Sequence, residues 1–319
     1  MITGTPTKDD FYSMASHMIN EAWEIVCKLG YPYNKYRLGN SFRKENNLKQ
    51  IDLNFYWTYA KPKLLSAFSL LQQSVEFRLK GIICEVSPYL LIANSVTSPP
   101  KKVDGNISYS DFYTLDSKDL IKVINTFTDV KLSDEFVTTF NKMRSLRNSF
   151  MHSVNHNDNI TFEHIIDLIC FMHKNLNPND PGWFKYRYDY LVMHSSNGID
   201  FSEDSIEKLR YRPAVEDEEM FNVHVEFKTV IGLLSPALTR KHFNYIKNNK
   251  KKTSCQCVYC SEMMERSECD STIYDNDIFV GLNTVQAING STDIGVCVIC
   301  EKNQKMAMWN AVITNHTNY

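Results

Sequence analysis

Apolar residues recur at helical spacing through the first half of the chain. Phe11, Met14, Ala15, Met18, Ala22, Ile25, Val26 and Leu29 form one stripe, and a period of 3–4 residues predicts a helix buried on one side. Thr7 with Asp10 three residues later reads as its N-cap, and Gly30 as its stop. Residues 31 to 60, rich in Tyr, Asn and Lys, carry no clean period and read as a long connection. Pro62 is expected to open a second helix, whose face is Leu64, Phe68, Leu71, Val75, Leu79 and Ile82. "PYLLIANS" reads as a short helix and "TSPPKKVDGNIS" as a loop.

Three further helices follow. Ser117 is expected to cap one with Leu120, Ile124 and Phe127. Ser133 caps one with Phe136, Phe140, Met143 and Phe150. Thr161 caps one with Ile165, Ile166, Ile169 and Met172. After "NPNDPGWF" the texture changes. "YRYDYLVM" and "FNVHVEF" alternate in the manner of half-buried strands. "SPALTRKHFNYIKNNKKK" reads as a helix ending in a basic run, and short strand-like pieces surround the cysteines beyond it.

The fold class expected is therefore mainly α, a bundle of antiparallel helices followed by a smaller α+β region. The divisions expected are 1–54, an N-terminal helical extension; 55–178, the helical domain; and 179–319, the α+β region.

Composition adds limits more than direction. The chain has 319 residues, 43% hydrophobic and 23% charged, as in a soluble globular protein. A formal net charge of -2 supplies no global field toward nucleic acid or membrane. No apolar run of membrane-spanning length or secretory pattern stands out, so the expectation is a cytoplasmic protein with no membrane partner. Six of the nine cysteines fall between Cys255 and Cys300. That clustering, an odd count and the lack of a secretory pattern point to a reducing compartment and a metal, not a disulfide framework.

"CVYC" and "CVIC" place Cys257, Cys260, Cys297 and Cys300 in two CxxC knuckles. A gap of two residues lets both thiolates of a knuckle face one ion, and two knuckles give the tetrahedral four-sulfur set that suits Zn²⁺ in a structural role. Cys255 and Cys269 stand nearby, and either can replace a predicted ligand. Lys250, Lys251 and Lys252 precede the first knuckle. They suit RNA phosphates, or equally a solvated helix end.

The stretch "RSLRNSFMH", residues 144–152, is polar where the Ser133 helix should be apolar. Arg147 follows Phe140 and Met143 on one face, where a cation must reach solvent, pair, or meet an anion. Asn148 and His152 are i and i+4, so the amide can orient the imidazole. Arg147 and His152 stand about 140° apart round an ideal helix and do not converge within one straight segment. In the bland reading, Arg147 snorkels and His152 caps the helix C-terminus.

The arrangement resembles the HEPN superfamily, whose mark is an arginine, a polar residue, and a histidine after four to six intervening residues. Arg147, Asn148 and His152 match the form with four intervening residues. "LLQQSVEFRLKGII", with Glu76 and Lys80, resembles an earlier family helix, and "SKDLIKVINTF" the one that precedes the motif. Glu76 can pair with an arginine of the motif helix or with Lys80. The resemblance spans roughly residues 55 to 178.

It implies a metal-independent endoribonuclease of a toxin or antiviral defence system. Such enzymes act as homodimers with two motifs facing one cleft, and an antitoxin or trigger protein is an implied partner. His152 would move a proton and Arg147 would hold the phosphate, with Asn148 beside them and Arg144 among RNA-binding candidates. The tyrosine that some family toxins carry after the histidine is absent from "HSVNHND". Two alternatives stay open: a dimer that grips RNA or a nucleotide without cutting it, and an adaptor whose zinc region docks a protein.

Overall fold

The computed structural model describes residues 1–46, 52–93, 100–152, 160–197, 215–247, 254–266, 284–288 and 294–305. Among them the chain is mainly helical, with a small antiparallel sheet near the C-terminus. It divides into two compact units. One comprises Met1–Leu29 and Gly39–Leu176; the other comprises Gly30–Leu38 and Asn177–Tyr319.

In the first unit, α1 (Lys8–Glu45) begins at the expected capping box of Thr7 and Asp10. The next helix, α2 (Asn54–Val86), is the hub against which α3 (Ser117–Phe127), α4 (Asp134–His152) and α5 (Phe162–Leu176) pack. Leu64, Phe68, Leu71, Val75 and Leu79 of α2 are buried with Leu120, Phe136, Phe140, Ile165 and Ile169. That is the face the spacing predicts. Ser133 and Thr161 cap α4 and α5 through their hydroxyls, with N···O distances of 3.1 and 3.2 Å. The cap of α3 is Asp116, one residue before the expected Ser117. Strands β1 (Ile2–Thr3) and β2 (Ile107–Ser108) pair in parallel, and Pro88–Leu91 form a single 3₁₀ turn.

Two helix boundaries differ from expectation. Gly30 does not end α1, which continues through it and through Pro32 to Glu45; α2 likewise starts at Asn54 and contains Pro62. Residues 31 to 60 are thus mostly helical. Gly30 is there for close approach: a Cβ would lie 2.5 Å from Cδ1 of Leu233.

The second unit holds α6 (Trp183–Asn197), α7 (Val215–Leu233), α8 (Pro236–Phe243), α9 (Val258–Arg266) and strands β3 (Ser254–Cys255), β4 (Val285–Ala287), β5 (Ile294–Cys297) and β6 (Asn303–Lys305). The two segments expected as strands are helices. In α6 the tyrosines alternate, yet the buried residues are Trp183, Phe184 and Arg187, at helical spacing. In α7 the buried line is Met220, Phe221, Val223, His224, Phe227 and Val230. The window alternates because polar residues are enclosed along with apolar ones: His224 is wholly buried and Glu226 pairs with Arg187. The acidic first turn, Glu216 to Glu218, marks α7 as a helix start.

Arg187 is 2% exposed and forms an ion pair with Glu226 across α6 and α7 at 2.9 Å. Phe184, Phe227, Phe243 and Tyr245 form a ring cluster beside it. Helix α8 was expected to run on to Lys250, Lys251 and Lys252. It ends instead at Phe243, where Asn244 adopts the left-handed φ of 50° that closes a helix. The sheet is antiparallel in the order β3-β4-β5-β6. No helix of the described residues is long and apolar enough to cross a membrane.

Candidate metal centre and polar helix end

Cys257 sits directly before α9 and Cys260 in its first turn. Ser261 fixes that turn, its N–H donating to the Cys257 carbonyl at 3.0 Å. The second knuckle closes the β5–β6 hairpin. There the Ile299 N–H donates to Cys297 Sγ at 3.4 Å, and Glu301 takes φ 57° to turn the chain. The Glu301 N–H then donates to the Cys297 carbonyl at 3.0 Å. The Ile299 N–H, aimed at sulfur, is the kind of donor that a metal thiolate needs around it.

The sulfurs of Cys257, Cys260, Cys297 and Cys300 all lie within 4.8 Å of one another. Cys257 to Cys300 is 3.6 Å and Cys260 to Cys297 is 3.8 Å. These are not disulfides; all four cysteines are free. A tetrahedral ion with metal–sulfur bonds of about 2.3 Å requires sulfurs about 3.8 Å apart. Cys257, Cys260 and Cys297 are fully buried and Cys300 is half-buried. The donor set and spacing therefore fit a metal with tetrahedral sulfur coordination.

Electrostatics point the same way. Hydrogen bonds from Cys257, Cys260 and Cys300 hold the Cys297 thiol well below the ordinary range. Cys260 is pushed up by hydrogen bonding with Cys257, Cys297 and Cys300, and by burial. Four thiolates this close cannot all ionise without a cation among them.

Three residues that the spacing does not single out complete the surroundings. Gln304 of β6 accepts from the Val258 N–H at 3.0 Å and donates to the Gln256 carbonyl at 3.0 Å and to Cys255 Sγ at 3.2 Å. Thr284 places its hydroxyl 3.4 Å from Cys297 Sγ, to which it can donate when that sulfur is a thiolate. His224 is wholly buried in α7, and neither ring nitrogen has a hydrogen-bond partner among the described residues. Burial drives its pKa down to about 4, against the opposing field of Cys297. Only the polar side chain of Gln304 at the hairpin, i+4 from Cys300, lies close enough in sequence to suggest a role.

Cys255 is buried in β3, takes the Gln304 hydrogen bond, and lies outside the four-sulfur group. Cys269 lies outside the described residues. So do Lys250, Lys251 and Lys252, the expected RNA-phosphate contacts. Their alternative reading, as a solvated helix end, falls on the same residues outside those described. Helix α8 closes at Phe243, seven residues before Lys250.

The polar stretch forms the last three turns of α4. Arg144 bridges helices: its Nε donates to Ser117 Oγ at 2.8 Å and its Nη1 to Asn141 Oδ1 at 3.1 Å. Arg147 is half-buried, and its Nε is buried without a hydrogen-bond partner among the described residues. Asn148 is exposed. His152 is the final residue of the helix; its side chain lies outside the described residues. Phe150 meets Phe68 edge-on at 5.8 Å, anchoring this end of α4 to α2. Glu76 accepts from Gln72 Nε2 at 2.5 Å, and no ion pair joins it to Lys80 or Arg147 among the described residues.

Comparison with family models, with curated proteins and with solved structures finds no match to this chain.

Proposed function

We propose that the protein is an endoribonuclease of the HEPN kind, acting as a homodimer, with a zinc-stabilised C-terminal region. The observation that carries this reading is the guanidinium of Arg147. It sits in the last turns of α4 with a buried Nε that nothing among the described residues satisfies. An unpaired buried donor on a cation is costly unless a ligand or partner completes it. An RNA phosphate is a ligand of matching charge and geometry.

RNA carries its own nucleophile. The 2′-OH attacks the adjacent phosphorus and the 5′-oxygen leaves, giving a 2′,3′-cyclic phosphate. His152 would transfer the proton, and Arg147 would stabilise the charge on the phosphorane oxygens. Asn148, one turn before His152, would orient the imidazole. A second copy would bring its own Arg147 and His152 to the same cleft, which removes the mismatch of five residues within one helix. The toxin or defence setting, and an antitoxin or trigger as partner, rest on the resemblance alone.

Zinc is the metal proposed for the cysteine centre. Four sulfurs at tetrahedral spacing favour it, and a filled set leaves no open position for catalysis. Its role is to hold α9 and the β5–β6 hairpin together.

The test is cleavage of total RNA by wild type, Arg147→Ala and His152→Ala, with magnesium removed by chelation. The reading expects cleavage by wild type alone. Equal cleavage by both variants, or RNA retarded yet never cut, would reject it.

A further inference from the structure

The first turns of α2 carry an exposed stripe that the cleavage reading does not use. Phe55, Tyr59 and Lys63 are spaced at i, i+4 and i+8, so they share one face at steps of about 6 Å along the axis. Phe55 is 85% exposed and Tyr59 57%. Lys63 lies with its Nζ 4.8 Å from the centre of the Tyr59 ring. Thr58 and Pro62, also exposed, fill the margin. From Asn54 to Val75 the chain holds Lys61 and Lys63 and no acidic residue.

Two aromatic rings held in water have no packing reason within their own helix. Their faces are presented to solvent beside a cation, and the carboxylate nearest in sequence, Asp52, is engaged by the Asn54 N–H at 2.9 Å. Rings for stacking, interleaved with positive charge, are the recurrent means of binding single-stranded nucleic acid. Exposed rings also suit a protein interface; the cations Lys61 and Lys63 alongside them favour an anionic occupant.

We infer that the Phe55–Tyr59–Lys63 face of α2 binds single-stranded RNA, the two rings stacking on successive bases and Lys63 meeting the backbone phosphate. This names how the substrate would be held; it rests on the ribonuclease reading only for the choice of RNA over DNA. Because the rings are exposed, removing them leaves the core untouched.

The test is fluorescence anisotropy of a labelled twelve-residue oligouridine on full-length protein carrying His152→Ala, so that the probe survives. Phe55→Ala and Tyr59→Ala are each expected to weaken binding about tenfold. Lys63→Gln is expected to reduce the slope of log affinity against log salt by about 0.7. Circular dichroism melts of the variants should match the parent. Unchanged affinity in both ring variants overturns the inference. So does a change in sedimenting mass with RNA affinity intact, which would assign the face to a second copy of the chain. The two readings separate cleanly. If wild type leaves RNA full-length while the ring variants lose binding, the nuclease fails and the surface stands. If RNA is cut but the ring variants bind as tightly as the parent, the surface alone fails.

Discussion

Gln304 caps the helix that begins at Val258: its Oε1 accepts the Val258 N–H at 3.0 Å. The same side chain donates to the Gln256 carbonyl and to Cys255 Sγ. One amide on β6 thus holds the approach to the first cysteine knuckle, while β6 itself pairs with the strand that ends at Cys297. The two halves of the metal set are tied together by hydrogen bonds as well as by any ion they share.

Gln304→Ala removes that tie. Its two bonds to backbone groups, at about 0.5–1.5 kcal/mol each, put the expected loss of stability at roughly 1–3 kcal/mol, with little added by the weaker bond to sulfur. The variant should also release metal to a chromophoric chelator faster than wild type. An unchanged release rate and melting temperature would show that the amide plays no part.

Cys260→Ser should lower bound metal from one ion per chain to none and cost several kcal/mol in the second unit, since metal affinity is folding free energy in such sites. Cys255→Ser should keep the full metal content, because its sulfur stands outside the group of four. Metal analysis by mass spectrometry of both purified variants decides between the two registers. Loss of metal in Cys255→Ser would contradict the assignment.

Gly30→Ala tests the contact that carries α1 past its expected stop. In an unconstrained helix interior, alanine would stabilise by about 1 kcal/mol over glycine. Here the new methyl would meet Leu233 and Thr229, and overpacking of this kind costs about 1–3 kcal/mol. Destabilisation in a urea titration is the expected result, and stabilisation would refute the contact.

His164 supplies a pH dependence away from the metal. Its ring lies against Phe68 at 6.4 Å, and its Nδ1 is buried without a partner among the described residues. Burial pushes its pKa below 6.5, with Asp167 opposing. Between the folded pKa and the unfolded value of 6.5 the unfolded chain binds more protons, so stability falls as pH drops through that window. His164→Phe should flatten the fall between about pH 7 and 5. A profile parallel to wild type would mean that the ring is not held neutral.

Much of this arrangement is legible in the sequence. Capping residues with a strong helical period, as at Thr7, Ser133 and Thr161, place helices well because both signals are local. The cysteine centre is legible because two knuckles carry their own geometry. Helix α7 misleads because Asn222, His224 and Glu226 alternate with apolar residues, although His224 is buried and Glu226 is paired. Helix α6 misleads because Tyr186, Tyr188 and Tyr190 alternate while Trp183, Phe184 and Arg187 set the buried face. The helix from Pro236 is shorter than its composition suggests because the αL stop at Asn244 is made without a glycine to announce it. Gly30 and Pro62 look like punctuation. Each is accommodated inside a helix, and Gly30 stands there in close approach to Leu233, a neighbour distant in sequence. Gln304, Thr284 and His224 acquire their roles through tertiary contacts, which spacing does not encode.

The most direct measurement is the chemistry of the RNA ends left by wild type and by His152→Ala. Wild type should produce 2′,3′-cyclic phosphates and 5′-hydroxyls, and His152→Ala should leave the RNA intact. Fragments with 5′-phosphates, or equal cleavage by the variant, would contradict attack by the neighbouring hydroxyl at an Arg147–His152 site.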